Sequence, residues 1–264
     1  MSPIRLIASD LDGTLLRHDG TVSDRTKAAV RAAAAAGFTI VLASGRPPRT
    51  VVTVAEQLGV DGLAVCSNGA ILYDLGKRQV LSNEHVPQAA LKTLITALRE
   101  REPSVCFATE HGHRVGYEPD FPHRQTWTQD LPPTVADIHA LCADDVIKLA
   151  IHHPDHAVEI LAERVRAIAG DSVSVTFSSR HFIEVAAAGV SKALGLTRVC
   201  ARLGIDAKQV IAFGDMPNDL AMLAFAGRGV AVANAHPDLM AAGYELTASN
   251  DDDGVARVIE GLLA

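Results

Sequence analysis

The sequence predicts an α/β fold: a parallel sheet covered on both faces, interrupted by an inserted α+β domain. Three observations predict it. Short continuous apolar runs alternate with helical segments at both ends of the chain, as expected of strands buried on two faces and joined by crossover helices. Polar residues gather just after the C-terminal end of each run, the edge at which open α/β sheets bind ligands. The middle breaks this rhythm. Residues 83–185 hold seven of the twelve prolines and nine of the eleven histidines, so they read as a separate unit.

The elements follow in order. Ile4, Leu6, Ile7 and Ala8 form a buried strand ended by Asp10. Ser23 is placed as an N-cap, Asp24–Ala36 as an alanine-rich helix and Gly37 as its stop. Phe38–Ala43 is a second strand ended by Ser44-Gly45-Arg46, Pro48–Leu58 a second helix, and Leu63–Cys66 a third strand ended by Ser67-Asn68-Gly69. Residues 70–73 and 79–81 form a hairpin around Asp74–Lys77. In the insert, Val105–Ala108, Val146–Ile151, Val173–Phe177 and Phe182–Val185 read as strands, expected to be antiparallel, and Pro87–Glu100 and His156–Ala169 as helices. The first rhythm then returns. Ser191–Leu203 is a helix, Val210–Phe213 a strand before Gly214–Asp219, and Val230–Ala233 another strand. A short helix near Pro237 and a last helix over 252–263 follow. The division is therefore residues 1–82 and 186–264 as one discontinuous core, with 83–185 inserted.

Composition narrows the class. The chain has 264 residues, 48% hydrophobic and 21% charged, with a formal charge of −7. That is a globular composition with enough apolar surface for a sizeable core. A net acidic chain has no global attraction for nucleic acid or an anionic membrane, though a local basic pocket for a small anion remains open. Cys66, Cys106, Cys142 and Cys200 are widely spaced with no C-x-x-C pair, so they read as reduced structural thiols. The first apolar run meets Asp10 and Asp12, and the longest apolar stretch, 28–43, contains Arg31 and Gly37. Neither a secretory signal nor a membrane span is expected, and the expected location is the cytoplasm.

The chemistry concentrates at strand ends. Asp10 and Asp12 stand just after the first strand, where buried carboxylates are costly unless paired, hydrogen-bonded or bound to a metal. Taken alone, Asp-x-Asp-Gly is explained equally by a solvated turn. A calcium loop fails, because Thr14 and Thr21 stand where oxygen ligands are required. Other strand ends add Ser44, Lys192 and Asp215. A hard cation held by one or two carboxylates, with a hydroxyl and an ammonium beside it, suits phosphoryl transfer.

The sequence resembles the haloacid dehalogenase (HAD) superfamily of aspartate-dependent phosphatases, and more closely its Cof-type, HAD-IIB branch. D-x-D-G-T-L stands as Asp10–Leu15, the serine motif as Ser44-Gly45-Arg46-Pro47, and S-N-G-A as Ser67–Ala70. The lysine motif stands as Gly189–Lys192, G-D-x-x-N-D as Gly214–Asp219, N-A as Asn234-Ala235, and the closing N-x-x-D-G-V as 250–255. These matches run in order over nearly the whole chain. The resemblance implies a Rossmann-like core with an α+β cap of type C2/IIB that closes over its substrate. It implies Asp10 as nucleophile and Asp12 as general acid, then base. It gives Mg²⁺ to Asp10, Asp215 and the Asp12 carbonyl, and the substrate phosphate to Ser44, Gly45, Arg46 and Lys192. Asp219 would orient Lys192 or a metal-bound water, with Asn218 close by. Departures from the usual pattern are Met216-Pro217, Ala193 after the lysine, and Tyr244.

Other signals are weaker. Gly227-Arg228-Gly229 lacks the third glycine of a dinucleotide loop, Ser44 lacks the preceding glycine of a nucleophile elbow, and Lys192 lacks that of a phosphate-binding P-loop. His111, His113 and His152-His153 are better read as solvated or hydrogen-bonded than as metal ligands. The competing reading has His111, His113, Arg114 or Arg180 touching a leaving group. Trp127 is expected in the core of the insert. Arg46 either holds an anionic substrate or forms a surface ion pair. The expected activity is Mg²⁺-dependent hydrolysis of a small phosphorylated metabolite: a sugar phosphate, a nucleotide or a phosphorylated cofactor precursor. A phosphomutase or a catalytically inactive binding protein on the same fold are the rivals. Monomer and homodimer are both compatible with the sequence.

Overall fold

The computed structural model describes residues 3–122 and 132–264; Trp127 lies outside them. β1 (Leu6–Ser9) is wholly buried. α1 (Asp24–Ala35) starts at Ser23, whose hydroxyl accepts from Thr26 N–H at 3.0 Å, and β2 (Thr39–Ala43) follows. α2 (Pro48–Leu58) opens on a proline, whose missing N–H costs nothing there, and stops at left-handed Gly59. β3 (Leu63–Cys66), β4 (Ile71–Asp74) and β5 (Gln79–Asn83) complete the first part.

The insert begins with α3 (Gln88–Arg101), β6 (Cys106–Glu110) and β7 (Val115–Tyr117). β8 (Thr134–Val135), α4 (Ile138–Leu141) and β9 (Lys148–His152) follow. α5 (Val158–Ala169), β10 (Val173–Thr176) and β11 (Ile183–Ala187) end it. The chain returns through α6 (Lys192–Leu203), β12 (Val210–Gly214), α7 (Leu220–Phe225) and β13 (Arg228–Val232). It closes with α8 (Pro237–Ala241), β14 (Glu245–Thr247) and α9 (Gly254–Leu263).

Two compact units result: residues 1–82 with 191–264, and residues 83–190. β11 pairs with β10 through Ala187 and with β9 through Val185, so residues 186–190 stay with the second unit and the first resumes at Ser191. In the first unit an eight-stranded sheet has the order β14-β13-β12-β1-β2-β3-β4-β5. β1 is parallel to β12 and β2, and β4 turns back antiparallel to β3. Strand alternation sends Leu6, Ala8, Val41 and Ala43 into one buried cluster with Leu196, Val199, Met222 and Leu223. α1 and α2 pack on β2 and β3, and α1 on α9. Each such leucine, valine or methionine side chain, fully removed from water, contributes roughly 1.5–3 kcal/mol, and the alanines less. All strand ends that carry the chemistry therefore open at one edge of a rigid sheet.

The second unit holds a six-stranded sheet, β10-β11-β9-β6-β7-β8. Its register is antiparallel except for β7 with β8, which run parallel, a departure from the expected all-antiparallel insert. A parallel neighbour needs a crossover, and the proline-rich chain between β7 and β8 supplies the length. The four cysteines are free. Among the described residues no helix is long and apolar enough to cross a membrane.

Candidate active site

Asp10 continues β1 by donating its N–H to Phe213 O at 3.0 Å, which fixes it at the sheet edge. Lys192 is the first residue of α6, N-capped by Ser191, whose hydroxyl accepts from Leu194 N–H. Its ammonium is fully buried and donates to Asp10 Oδ1 at 2.6 Å and to Asp219 Oδ1 at 2.7 Å. Asp219 Oδ2 accepts from the N–H groups of Asp215 and Met216 at 3.0 and 3.1 Å. Asp215 Oδ1 accepts from the Thr14 hydroxyl at 2.7 Å. Asp10, Lys192, Asp215 and Asp219 are thus one connected group, drawn from β1, α6 and the loop after β12.

Charge sets its behaviour. One ammonium faces three buried carboxylates, Asp10, Asp215 and Asp219, whose ligand oxygens lie within 4.8 Å of one another. Burial, with Asp219 and Asp215 nearby, raises the Asp10 carboxyl well above its ordinary value despite Lys192. Burial and Asp219 push Asp215 up to about 7. Burial alone would lower the Lys192 ammonium, but Asp10 and Asp219 hold it above its ordinary value. Anions this crowded call for another cation, and a set of buried carboxylate oxygens fits a hard divalent one. Both Asp219 oxygens are already used as acceptors, so Asp10 and Asp215 are the better placed ligands.

The remaining expected residues lie at the same edge with different attachments. Asp12 is exposed, yet close enough for its charge to help raise the Asp10 carboxyl. The Arg46 guanidinium grips Asp12 from two nitrogens, at 2.7 and 2.5 Å. Arg46 therefore spends two of its five N–H donors on Asp12. Ser44 is buried, its hydroxyl accepting from Arg46 N–H at 3.1 Å; Gly45 lies between them. Asn218 is buried and donates from Nδ2 to Asn68 Oδ1 at 2.9 Å. Gly13 has φ +78°, and a Cβ there would lie 2.4 Å from Asp215 Oδ2, so only glycine admits this approach.

Residues to which the sequence assigned no task support the loop after β1. Asn234 Nδ2 donates to Gly13 O at 2.7 Å, and Asn234 Oδ1 accepts from Asn250 N–H. Asn250 Nδ2 donates to Leu16 O. His236 N–H donates to Asp215 O at 2.7 Å. For the two asparagines the motif positions were the available signal; their contacts to Gly13 and Leu16 span 221 and 234 residues, which no local pattern reveals.

In the second unit, His111 is buried and hydrogen-bonded to Asp145 O and the Thr109 hydroxyl, and Arg114 pairs with Asp144. His153 and His156 meet Glu102 at 3.5 and 3.3 Å. The two imidazoles stack at 4.0 Å with planes 20° apart. Near-parallel planes cannot both aim an in-plane lone pair at one ion. Arg164, bonded to both Glu102 and His156, already supplies the cation, so this group reads as an ion cluster.

Residues 7–259 match the family described as haloacid dehalogenase-like hydrolase. The chain belongs to that family. It is 30% identical to 5-amino-6-(5-phospho-D-ribitylamino)uracil phosphatase YcsE of Bacillus subtilis, over 97% of this chain and 94% of the relative. It is also 30% identical to pyridoxal phosphate phosphatase YbhA of Escherichia coli, over 97% of each. The solved structure of the HAD subclass IIB sugar phosphatase BT4131 superposes with a TM-score of 0.84 at 23% identity, over 98% of this chain and 99% of that one, a likeness of fold. The family makes the chain a haloacid dehalogenase-like hydrolase, and the two relatives named are phosphatases.

Proposed function

We propose that this enzyme is a Mg²⁺-dependent phosphatase that hydrolyses a small phosphorylated metabolite through a phosphoryl group carried on Asp10. The observation that carries the reading is the Lys192 ammonium shared by Asp10 and Asp219 beside Asp215. A carboxylate meets an ammonium and a cation-binding acid at one sheet edge, which is what an anionic phosphoryl group requires. Asp10, Asp215 and the Asp12 carbonyl would hold Mg²⁺; bound there, the cation offsets the negative charge that carboxylate and phosphoryl oxygens bring together.

In the first step a carboxylate oxygen of Asp10 bonds to phosphorus and the ester P–O bond breaks. Asp12 gives its proton to the departing oxygen. In the second, water bonds to phosphorus and passes its proton to Asp12. The bond to Asp10 breaks, and inorganic phosphate leaves. Ser44 and Lys192 hold the transferring group, Asp219 keeps Lys192 aimed, and Arg46 must release Asp12 for the proton transfers. The chemical breadth of the relatives' substrates supports a sugar phosphate, a nucleotide or a phosphorylated cofactor precursor as substrate. The free cysteines and the acidic charge support a cytoplasmic setting.

The test is hydrolysis of an aryl phosphate with and without Mg²⁺, for the wild type and Asp10→Asn. The substitution should lower turnover by roughly a thousandfold or more, and excess chelator should abolish it. Full activity in Asp10→Asn removes the scheme. An isomerised sugar phosphate in place of free phosphate would make the enzyme a mutase, and no turnover on any phosphorylated metabolite would make it a binding protein.

A further inference from the structure

Ser67-Asn68-Gly69 has no task in the scheme above, yet its backbone is unusual. All three residues are left-handed, with φ of +49°, +57° and +96°, and Ser67 and Asn68 are buried. A non-glycine residue held so is strained, so the surrounding contacts must enforce the turn. Ser67 N–H donates to Arg46 O and Asn68 N–H to Ser44 O, at 2.9 and 3.0 Å. A Cβ on Gly69 would lie 2.0 Å from Ser191 O, directly before Lys192. Asn68 Oδ1 accepts from Asn218 Nδ2. The turn therefore touches the serine loop, the start of α6 and the loop after β12. In sheet order β3 and β12 are separated by β2 and β1, a span of roughly 14 Å at the usual strand spacing. The Asn68–Asn218 bond ties strand ends on either side of Asp10. It leaves Asn218 Oδ1 buried and without a hydrogen-bond partner.

We infer that Asn68 is a positioning residue: its carboxamide fixes that of Asn218, so that the unpartnered Asn218 Oδ1 receives an O–H donor arriving with Mg²⁺ or with the metabolite. A buried acceptor without a donor destabilises the site, and an incoming O–H relieves that cost. The donor is a water carried by the cation or a hydroxyl of the substrate. The inference rests on the phosphatase reading.

Asn68→Gly removes the carboxamide and relieves the backbone cost but strands the buried Asn218 Nδ2 donor, so its unfolding midpoint should lie near or slightly below that of the wild type. With a hydroxyl-bearing sugar phosphate that the wild type hydrolyses, kcat should fall about 10- to 100-fold. Asn218→Ala should fall similarly, and Asn68→Gly/Asn218→Ala no further than Asn218→Ala alone. Titration with Mg²⁺ alone, followed by thermal shift, separates the donors. About tenfold weaker Mg²⁺ binding in Asn68→Gly identifies a cation-borne water. Unchanged Mg²⁺ binding with a lower kcat or a raised KM identifies a metabolite hydroxyl. Wild-type kcat and KM with unchanged Mg²⁺ binding, or losses that multiply in the double variant, would each overturn the inference. A wild type that turns over no phosphate ester refutes the phosphatase reading. Asn68 is then judged on Mg²⁺ binding, and an unchanged titration overturns its role.

Discussion

Lys192 carries a positive charge at the positive end of a helix, with its side chain wholly buried. Both placements are unfavourable for an isolated ammonium. They are tolerated because Asp10 and Asp219 each accept from it. Removing one partner of a buried pair strands the other, so Lys192→Met should destabilise by about 3 kcal/mol as well as abolish turnover. Urea unfolding of the two proteins checks this, and an unchanged midpoint would show that the ammonium is not the compensating charge. Gly13 gives a second residue-scale test. Gly13→Ala sets a Cβ against Asp215 Oδ2 in a left-handed backbone, so turnover should fall at least about tenfold, with weaker Mg²⁺ binding in a thermal-shift titration. Asp10, Ser44, Lys192 and Asp215 were legible in the sequence because each is a polar residue just after an apolar run or at a helix start. The grip of Arg46 on Asp12 was not, since a guanidinium on a loop has many anions within reach.

At the scale of elements, the loop after β1 is held from far along the chain. Asn234 and Asn250 form one hydrogen-bonded chain to Gly13 O and Leu16 O. Asn250→Ala leaves the Leu16 carbonyl without that donor, which should cost about 1–3 kcal/mol. With Asn234→Ala the losses should be less than additive in a double-mutant cycle, because the two side chains act as one network. Arg25→Ala is the control. Its pair with Glu260 joins α1 and α9 on the exposed surface, so the midpoint should not move measurably. The long elements of the first unit were legible from apolar runs, the Ser23 cap and the Gly37 stop. β7, β8 and α4 were not: they are short and lie where prolines obscure any period. β14 is a three-residue edge strand with two exposed residues, so its sequence lacks the buried signature that marked its neighbours.

For the whole molecule, the crowded carboxylates make folding, pH and cation binding a single linked equilibrium. The Asp215 carboxyl rises from 3.8 to about 7 on folding, and Asp10 shifts in the same direction. Between those values the folded, metal-free chain holds protons that the unfolded chain has released. Stability must therefore decline as pH rises through this window, the opposite of the usual salt-bridged aspartate. A divalent cation replaces the lost proton, and at low pH it must displace one. Mg²⁺ should then stabilise little near pH 5 and strongly near pH 7.5, where a hundredfold excess over its dissociation constant adds about 2.7 kcal/mol, or roughly 5–10 °C in Tm. Melting curves in chelator and in Mg²⁺ at the two pH values decide it. In chelator the Tm contribution of this site should fall with pH. Asp215→Asn, with no proton to lose there, should flatten that fall and reduce the gain from Mg²⁺. A Mg²⁺ gain equal at both pH values would mean that the cation is not held by the titrating carboxylates.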